Sequence, residues 1–109
     1  MRKREFHGHP KYLDLTEKEL ELHSTKNRDY AGGGDPLGNF HRVANILDLY
    51  PGLDLGEPTV VTLVYALKHL DAVLWQLSQG YEGKVDSLDE RMADIHIYLK
   101  IARILYGEE

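Results

Sequence analysis

Hydrophobic positions recur at helical spacing in four stretches of the chain, and polar or glycine-rich segments separate them. The first stretch predicts a helix from about Asp14 to Arg28, with Thr16 and Glu19 at the spacing of a capping box. Residues 31–36, Ala-Gly-Gly-Gly-Asp-Pro, end it, because glycine favours open backbone and proline disfavours helix at the residue before it.

The next two stretches predict one short and one long helix. The short helix begins near Asn39 and ends by Tyr50. The long helix is capped by Thr59, continues through Gln79 and is closed by Gly80. Its repeated apolar positions predict one sustained core stripe, made of Leu63, Ala66, Leu67, Leu70, Val73, Leu74 and Leu77.

The last predicted helix starts after Ser87, which forms a second capping box with Glu90, and continues to about Tyr106. Residues 95–105 are apolar on nearly every side, and a chain this small cannot easily bury such a helix alone. We therefore expect an all-α, compact bundle of about four helices that forms a homo-oligomer. Residues 1–109 make one domain, with residues 1–12 as an N-terminal arm.

The composition of the chain limits its possible chemistry, partners and cellular location. The 109 residues contain no cysteine, which excludes disulfides, thiolate-bound metal and a cysteine nucleophile, and fits a cytoplasmic location. The net charge of −5 argues against duplex nucleic acid as a partner, because that binding depends on neutralising phosphates. The longest apolar run, residues 60–67, is too short to span a membrane, so no membrane partner is expected.

The polar, glycine-rich segment between Lys26 and Arg42 is the strongest candidate site. Glycines let a ligand approach the backbone and expose amides that can hold an anion, and the following helix begins with free amides. Cationic and aromatic side chains flank them, which suits a phosphate and a stacked base. The candidate ligand-binding residues here are Lys26, Asn27, Asp29, Tyr30, Asp35, Asn39 and Arg42. Alternatively, the segment is only a flexible inter-helix loop.

Two further groups of polar residues could extend this site. Lys68 and His69, in the middle of the third predicted helix, are candidates to bind phosphate and to orient the ligand. Lys68 and Asp71 can also pair with each other at i and i+3, and the alternative is a polar outer face.

Glu90 and Asp94 share one face of the last helix, where two carboxylates could hold Mg²⁺ together with Asp71. Alternatively, Glu90 only complements the helix dipole and Arg91 pairs with Asp94. Zinc is not expected, because the six histidines lack metal-ligand spacing.

The candidate segment also resembles the sequence signature of a known protein family. Lys26-Asn27-x-Asp29-Tyr30, followed by glycines and Asp35-Pro36-x-x-Asn39-Phe40, resembles the signature of small phage-encoded helical proteins grouped as nucleotide-modification-associated domains. The later helix, Glu90-Arg-Met-Ala-Asp94, is also similar to the acidic-then-aliphatic helix of that group. The resemblance spans residues 18–105, and it implies a nucleotide ligand and a phage or prophage setting, hence the host cytoplasm.

A looser resemblance is to the all-α nucleotide pyrophosphohydrolases of the MazG type, which hold magnesium on paired acidic motifs of two helices. The chain differs in placing Glu90 and Asp94 four residues apart rather than three. Glu17 and Glu21 are the best candidates for the second acidic pair, with Asp29 and Asp71 as substitutes.

Three functional hypotheses follow. The first is a phage-type protein that binds a phosphate-bearing nucleotide and, with Mg²⁺ polarising the phosphoryl group, acts as a nucleotide pyrophosphohydrolase. The second is a non-catalytic sponge that sequesters a signalling nucleotide used in host defence, which needs the basic and aromatic residues but not the carboxylates. The third is a helical adaptor whose apolar last helix binds another protein.

Overall fold

The computed structural model describes residues 5–32 and 34–108, and these residues form helices and no strand. The elements are α1 (Pro10–Ala31), α2 (Gly38–Asp48), α3 (Pro58–Gln79) and α4 (Leu88–Glu108). α3 is central, because it packs against α4 along much of its length and also against α1 and α2. The prediction of an all-α bundle of four helices is confirmed.

The start of α1 differs from the prediction. The helix begins at Pro10, and His9 is its N-cap, whose Nδ1 accepts from the amide of Lys11 at 3.1 Å. Proline suits the first helical position because its missing N–H has no helical partner there. Thr16 lies inside the helix and donates to the carbonyl of Tyr12, so the capping box predicted at Thr16 is wrong. The helix also extends into the predicted arm, of which residues 1–4 lie outside the described part.

Glycine ends α1 and α3, but for α1 the end comes later than predicted. Gly32 has φ 56° and Gly80 has φ 71°, a left-handed conformation that favours glycine. The ring of Tyr81 also occupies the space where a Cβ of Gly32 would lie. The cap predicted for α4 is confirmed, since Ser87 Oγ accepts from the amide of Glu90 at 3.0 Å.

The start of α3 also differs from the prediction. The helix begins at Pro58 with Glu57 as its N-cap, so the cap predicted at Thr59 is wrong.

The core is small and consists mainly of alanine. The fully buried apolar residues in the described part are Ala31, Ala66, Ala72, Val73 and Ala102. The predicted stripe on α3 is therefore only partly correct: Ala66 and Val73 are buried, whereas four of its leucines are exposed, namely Leu63, Leu70, Leu74 and Leu77. The spacing that places leucines on one helix face says nothing about which face the other helices of the same chain cover.

α3 is the one described helix that is long and apolar enough to cross a membrane by length and composition alone, with a mean hydropathy of 1.2. The core helix of a bundle can have the same composition, and 28% of this apolar window is buried inside the chain. Here α1, α2 and α4 all contact α3. The fold is thus consistent with a soluble protein.

Candidate ligand-binding site

A cavity of about 220 Å³ lies between the C-terminal part of α1, the start of α2 and the middle of α3. Its lining consists of His23, Lys26, Asn27, Tyr30, Pro36, Leu37, Asn39, Phe40 and Lys68. From the predicted ligand-binding set, the fold thus brings together Lys26, Asn27, Tyr30, Asn39 and Lys68. Their spacing on α1 explains part of this, because residues three and four apart share one helix face.

Tyr30, in the cavity lining, lies beside two cationic side chains. Lys68 Nζ lies 5.5 Å from the centre of its ring, and Arg91 Cζ lies 4.5 Å from it. Burial acts to raise the pKa of the Tyr30 hydroxyl, but the neighbouring cations Arg91 and Lys68 outweigh it, so that the pKa is lowered from its usual value. The ring is thus placed where positive charge gathers, which favours an anionic ligand nearby.

Arg42 and Asp71 do not line the cavity, because they are committed to each other. Arg42 Nε and Nη2 donate to the two carboxylate oxygens of Asp71 at 2.8 and 2.9 Å. Asn39 Nδ2 donates to the same carboxylate at 2.8 Å, and Trp75 stacks beneath the guanidinium at 4.3 Å. Hydrogen bonding to Asp71 is the main cause that raises the pKa of Arg42. Asp71 thus pairs across helices with Arg42, and not with Lys68 as the local spacing predicts.

Asp29 is buried, with 2% exposure, and points away from the cavity. Its carboxylate accepts from the amides of Lys84 and Val85 at 2.8 and 2.6 Å, in the segment between α3 and α4. The small Gly83 lets this segment approach, since a Cβ there would lie 3.0 Å from Asp29 Oδ2. Asp29 therefore ties the end of α1 to the α3–α4 connection.

The glycine segment uses its described amides internally. Gly32 N donates to the carbonyl of Arg28 at 3.0 Å, and Gly34 N donates to that of Ala31 at 2.9 Å. Asp35 Oδ1 accepts from the amide of Leu37 at 2.9 Å, just before α2. The anion cradle predicted from glycine amides is therefore not formed by Gly32 or Gly34; Gly33 lies outside the described residues. Asp35 orders the start of α2.

Sequence reasoning missed the residues that hold the C-terminal end of α1 in place. Tyr81 Oη donates to the carbonyl of Asp29 at 2.7 Å, and Gln76 Nε2 donates to it at 3.2 Å. Trp75 Nε1 donates to the carbonyl of Ala31 at 3.1 Å. The last carbonyls of a helix lack helical partners, so polar side chains from a neighbouring helix stabilise them. In the sequence, the polar groups of Trp75 and Gln76 on an otherwise apolar helix were the features that could have indicated these contacts.

Arg91 was considered in the sequence only as a possible partner of Asp94. It is 1% exposed, and its Nη2 lies 3.8 Å from the carboxylate of Asp86, which is the ion pair that it forms in place of the alternative with Asp94. Its Nε and Nη1 are buried without a hydrogen-bond partner. Buried guanidinium groups are normally paired, because an uncompensated charge is costly. Here the face of Tyr30 supplies part of the compensation.

His69 belongs to α3, and its side chain packs against α4 rather than lining the cavity. Its ring stacks on that of Tyr98 with the centres 5.6 Å apart, and its Nδ1 is buried without a partner. Burial is the main cause that lowers the pKa of His69; the charges of Lys68 and Arg91 lower it further, and those of Asp94 and Asp86 oppose them.

Acidification should therefore destabilise the fold in part through His69. Because folding lowers its pKa, the unfolded chain binds the proton more readily, and the free energy of unfolding decreases as the pH falls through about 6.5. Urea denaturation at about pH 7.5 and about pH 5.5 measures this loss. We expect a smaller loss in His69→Phe than in the wild type. The reduction should exceed that in His96→Phe, which removes an exposed histidine of α4; equal reductions would contradict the assignment to His69.

The predicted metal ligands Asp71, Glu90 and Asp94 are differently placed. Asp71 is paired with Arg42, Glu90 is exposed and Asp94 is half-buried. Within residues 5–32 and 34–108 no three histidine, aspartate or glutamate side chains come together as a group that could hold a metal ion. Magnesium binding remains a prediction from the sequence.

Comparison with known proteins identifies no relative of this chain. No family model, no curated protein and no solved structure gives a significant match to the chain. The phage and MazG resemblances accordingly stay predictions.

Proposed function

We propose that this chain binds a phosphate-bearing nucleotide in the cavity between α1, α2 and α3. The observation that carries the proposal is the convergence of Lys26 and Lys68 with the ring of Tyr30 around one opening. Two cations suit phosphate oxygens, and aromatic rings suit a base, because stacking needs only a flat apolar face. The chain as a whole is acidic, so a local basic cavity selects a small anion over a polyanionic duplex.

Each lining residue has a role in this proposal. Lys68 and Lys26 contact phosphate, and Tyr30 or the exposed ring of Phe40 stacks on the base. The amide of Asn27 reads a polar edge of the base or sugar. Asn39 is partly committed, because its Nδ2 already donates to Asp71, so it contributes its oxygen as an acceptor.

Binding without turnover is the form that the geometry supports best. Hydrolysis with Mg²⁺ needs converging carboxylates. The charge of Asp71 is neutralised by the bidentate guanidinium of Arg42, and the side-chain amide of Asn39 also donates to this carboxylate. A nucleotide-sequestering protein needs only the cations and aromatic rings, which are together. The phage setting and the cytoplasmic location belong to the same proposal and derive from the sequence resemblance.

Lys68→Gln is expected to weaken nucleotide binding about tenfold, a loss of about 1.4 kcal/mol, because it removes one charge-assisted contact to phosphate. Isothermal titration with mono-, di- and triphosphates of the common nucleosides measures the change. The matched control is Lys100→Gln, on the exposed surface of α4 and outside the cavity lining, which should bind as the wild type does. Absence of binding by the wild type to the whole panel would overturn the proposal and favour the adaptor.

Turnover is tested separately. Nucleotide is incubated with the protein and Mg²⁺, and released phosphate and pyrophosphate are measured beside the recovered nucleotide. We expect the ligand to be recovered intact. Release that depends on Mg²⁺ and is abolished in Asp94→Asn would instead establish the pyrophosphohydrolase, with binding retained in that variant.

A further inference from the structure

The single chain exposes far more surface than a folded protein of its mass. Its accessible surface is 8738 Å² at 12.5 kDa, whereas a folded monomer of this mass exposes about 6,200 Å². The radius of gyration is 18.0 Å, against about 13 Å for a compact domain of this length. The surplus is about 2,500 Å² per chain, or about 5,000 Å² for two chains, which lies at the upper end of the range of about 2,000–5,000 Å² that obligate homodimer interfaces bury in total.

α1 is the element that is least covered. Every residue from Pro10 to Lys26 is exposed, so about 25 Å of helix is largely uncovered by its own chain. A helix of this length is only marginally stable in water unless another surface packs on it. Apolar side chains are exposed along it, including Leu13 at 47% and Leu20 at 63%.

Leu13 and Leu20 are seven residues apart, on one face of α1. The same face continues at helical spacing through His23 and Asn27, which line the cavity. Whatever packs on the two leucines therefore reaches the mouth of the cavity at Leu20, about one helical turn from His23.

We propose that a second copy of this chain packs along the Leu13–Leu20 face of α1 and forms one wall of the ligand cavity. The complementary surface on the partner is the row of leucines that the monomer leaves exposed on α3, including Leu70 and Leu74. A two-fold symmetric contact covers both surfaces in both copies at once. The dimer follows from the exposed surface alone; only its effect on the ligand rests on the proposed function.

The test compares two double variants of α1 that carry the same chemical change. Leu13→Glu with Leu20→Glu places charges on the proposed interface. Leu15→Glu with Leu22→Glu, at 56% exposure each and on the opposite face, is the matched control. Sedimentation velocity is expected to give the wild type and the control a mass of about 25 kDa, twice that of one chain, and the interface variant half of it.

Several results would overturn the proposal. They are a monomeric wild type, equal dissociation in both α1 variants, and a dimer that persists in the interface variant. A dimer that persists in Leu70→Glu with Leu74→Glu would overturn the assignment of the partner surface to α3. Hydrogen exchange on the wild type makes the test independent of the variants: α1 amides should be protected, and less so on dilution, whereas rapid exchange at every concentration would contradict the dimer.

Nucleotide titration of the same proteins tests the cavity wall. The interface variant should bind about tenfold more weakly than the wild type, because the partner no longer contributes to the cavity. The wild type is the reference here, since Leu22→Glu in the control lies four residues before Lys26 of the cavity lining. Dissociation of the dimer with unchanged nucleotide affinity would contradict the proposal that the partner forms a wall of the cavity, and would leave the proposed function intact. Absence of nucleotide binding in the wild type dimer would overturn the proposed function and leave the dimer intact.

Discussion

Asp29→Asn is expected to lower the free energy of unfolding by about 3 kcal/mol and the melting temperature by about 15 °C. The buried carboxylate accepts from the two successive amides of Lys84 and Val85. An asparagine offers one oxygen and one NH₂ group, so one of these amides would face another donor and lose its partner. The cost of a buried unpaired donor makes this loss large for a change that preserves shape. Urea and thermal denaturation measure it.

Asp54→Asn is the matched control for this prediction. Asp54 Oδ1 accepts from the amide of Gly56 at 2.9 Å, the same type of bond, but in an exposed turn. Water can replace a partner there, and we expect a loss below about 1 kcal/mol. Similar losses in the two variants would mean that burial does not set the strength of the Asp29 contacts, and would contradict the role given to Asp29.

Arg42→Met is expected to cost about 3 kcal/mol, because it leaves the buried carboxylate of Asp71 with only the amide of Asn39. Asp71→Leu should cost less, since the Arg42 side chain is about one-third exposed and can turn toward water. The double variant should recover much of the loss, because removing both partners leaves no uncompensated charge. Urea denaturation of the four proteins gives the coupling energy directly.

The same cycle separates two roles of Arg42. The sequence predicts a phosphate contact for Arg42, whereas the structure pairs it with Asp71 outside the cavity lining. We therefore expect the double variant, once folded, to bind nucleotide within about threefold of the wild type. A tenfold or larger loss in the folded double variant would show that Arg42 leaves Asp71 to reach the ligand, and a coupling energy near zero would contradict the buried ion pair.

Helix number and most helix ends were predictable, because they depend on local chemistry. Glycine at the left-handed positions 32 and 80 ends α1 and α3, and Ser87 caps α4 through its own side chain. The start of α1 was not predictable, because His9 and Pro10 compete with an equally good capping pair, Thr16 and Glu19, that begins seven residues after His9. Choosing between two local signals requires knowing how far the helix continues.

The candidate site was predictable in part. Lys26, Asn27 and Tyr30 share a helix face, so their common placement follows from spacing. Lys68 joins them only through the packing of α1 on α3. Asp29 and Asp71 resemble site residues in the sequence, because buried structural carboxylates and ligand-binding ones are the same residue type; only their partners, Lys84 and Val85 for one and Arg42 for the other, distinguish them.

The sequence by itself determined four helices, their approximate limits and a cluster of cationic, aromatic and amide residues near the first inter-helix connection. These features depend on spacing, capping and backbone preference, which act over a few residues. The tertiary structure decided which carboxylates are neutralised, which of the clustered side chains reach a common cavity, and which leucines remain uncovered on α1 and α3. Those outcomes depend on contacts between residues far apart in the chain, and a local pattern carries no information about which helix faces meet.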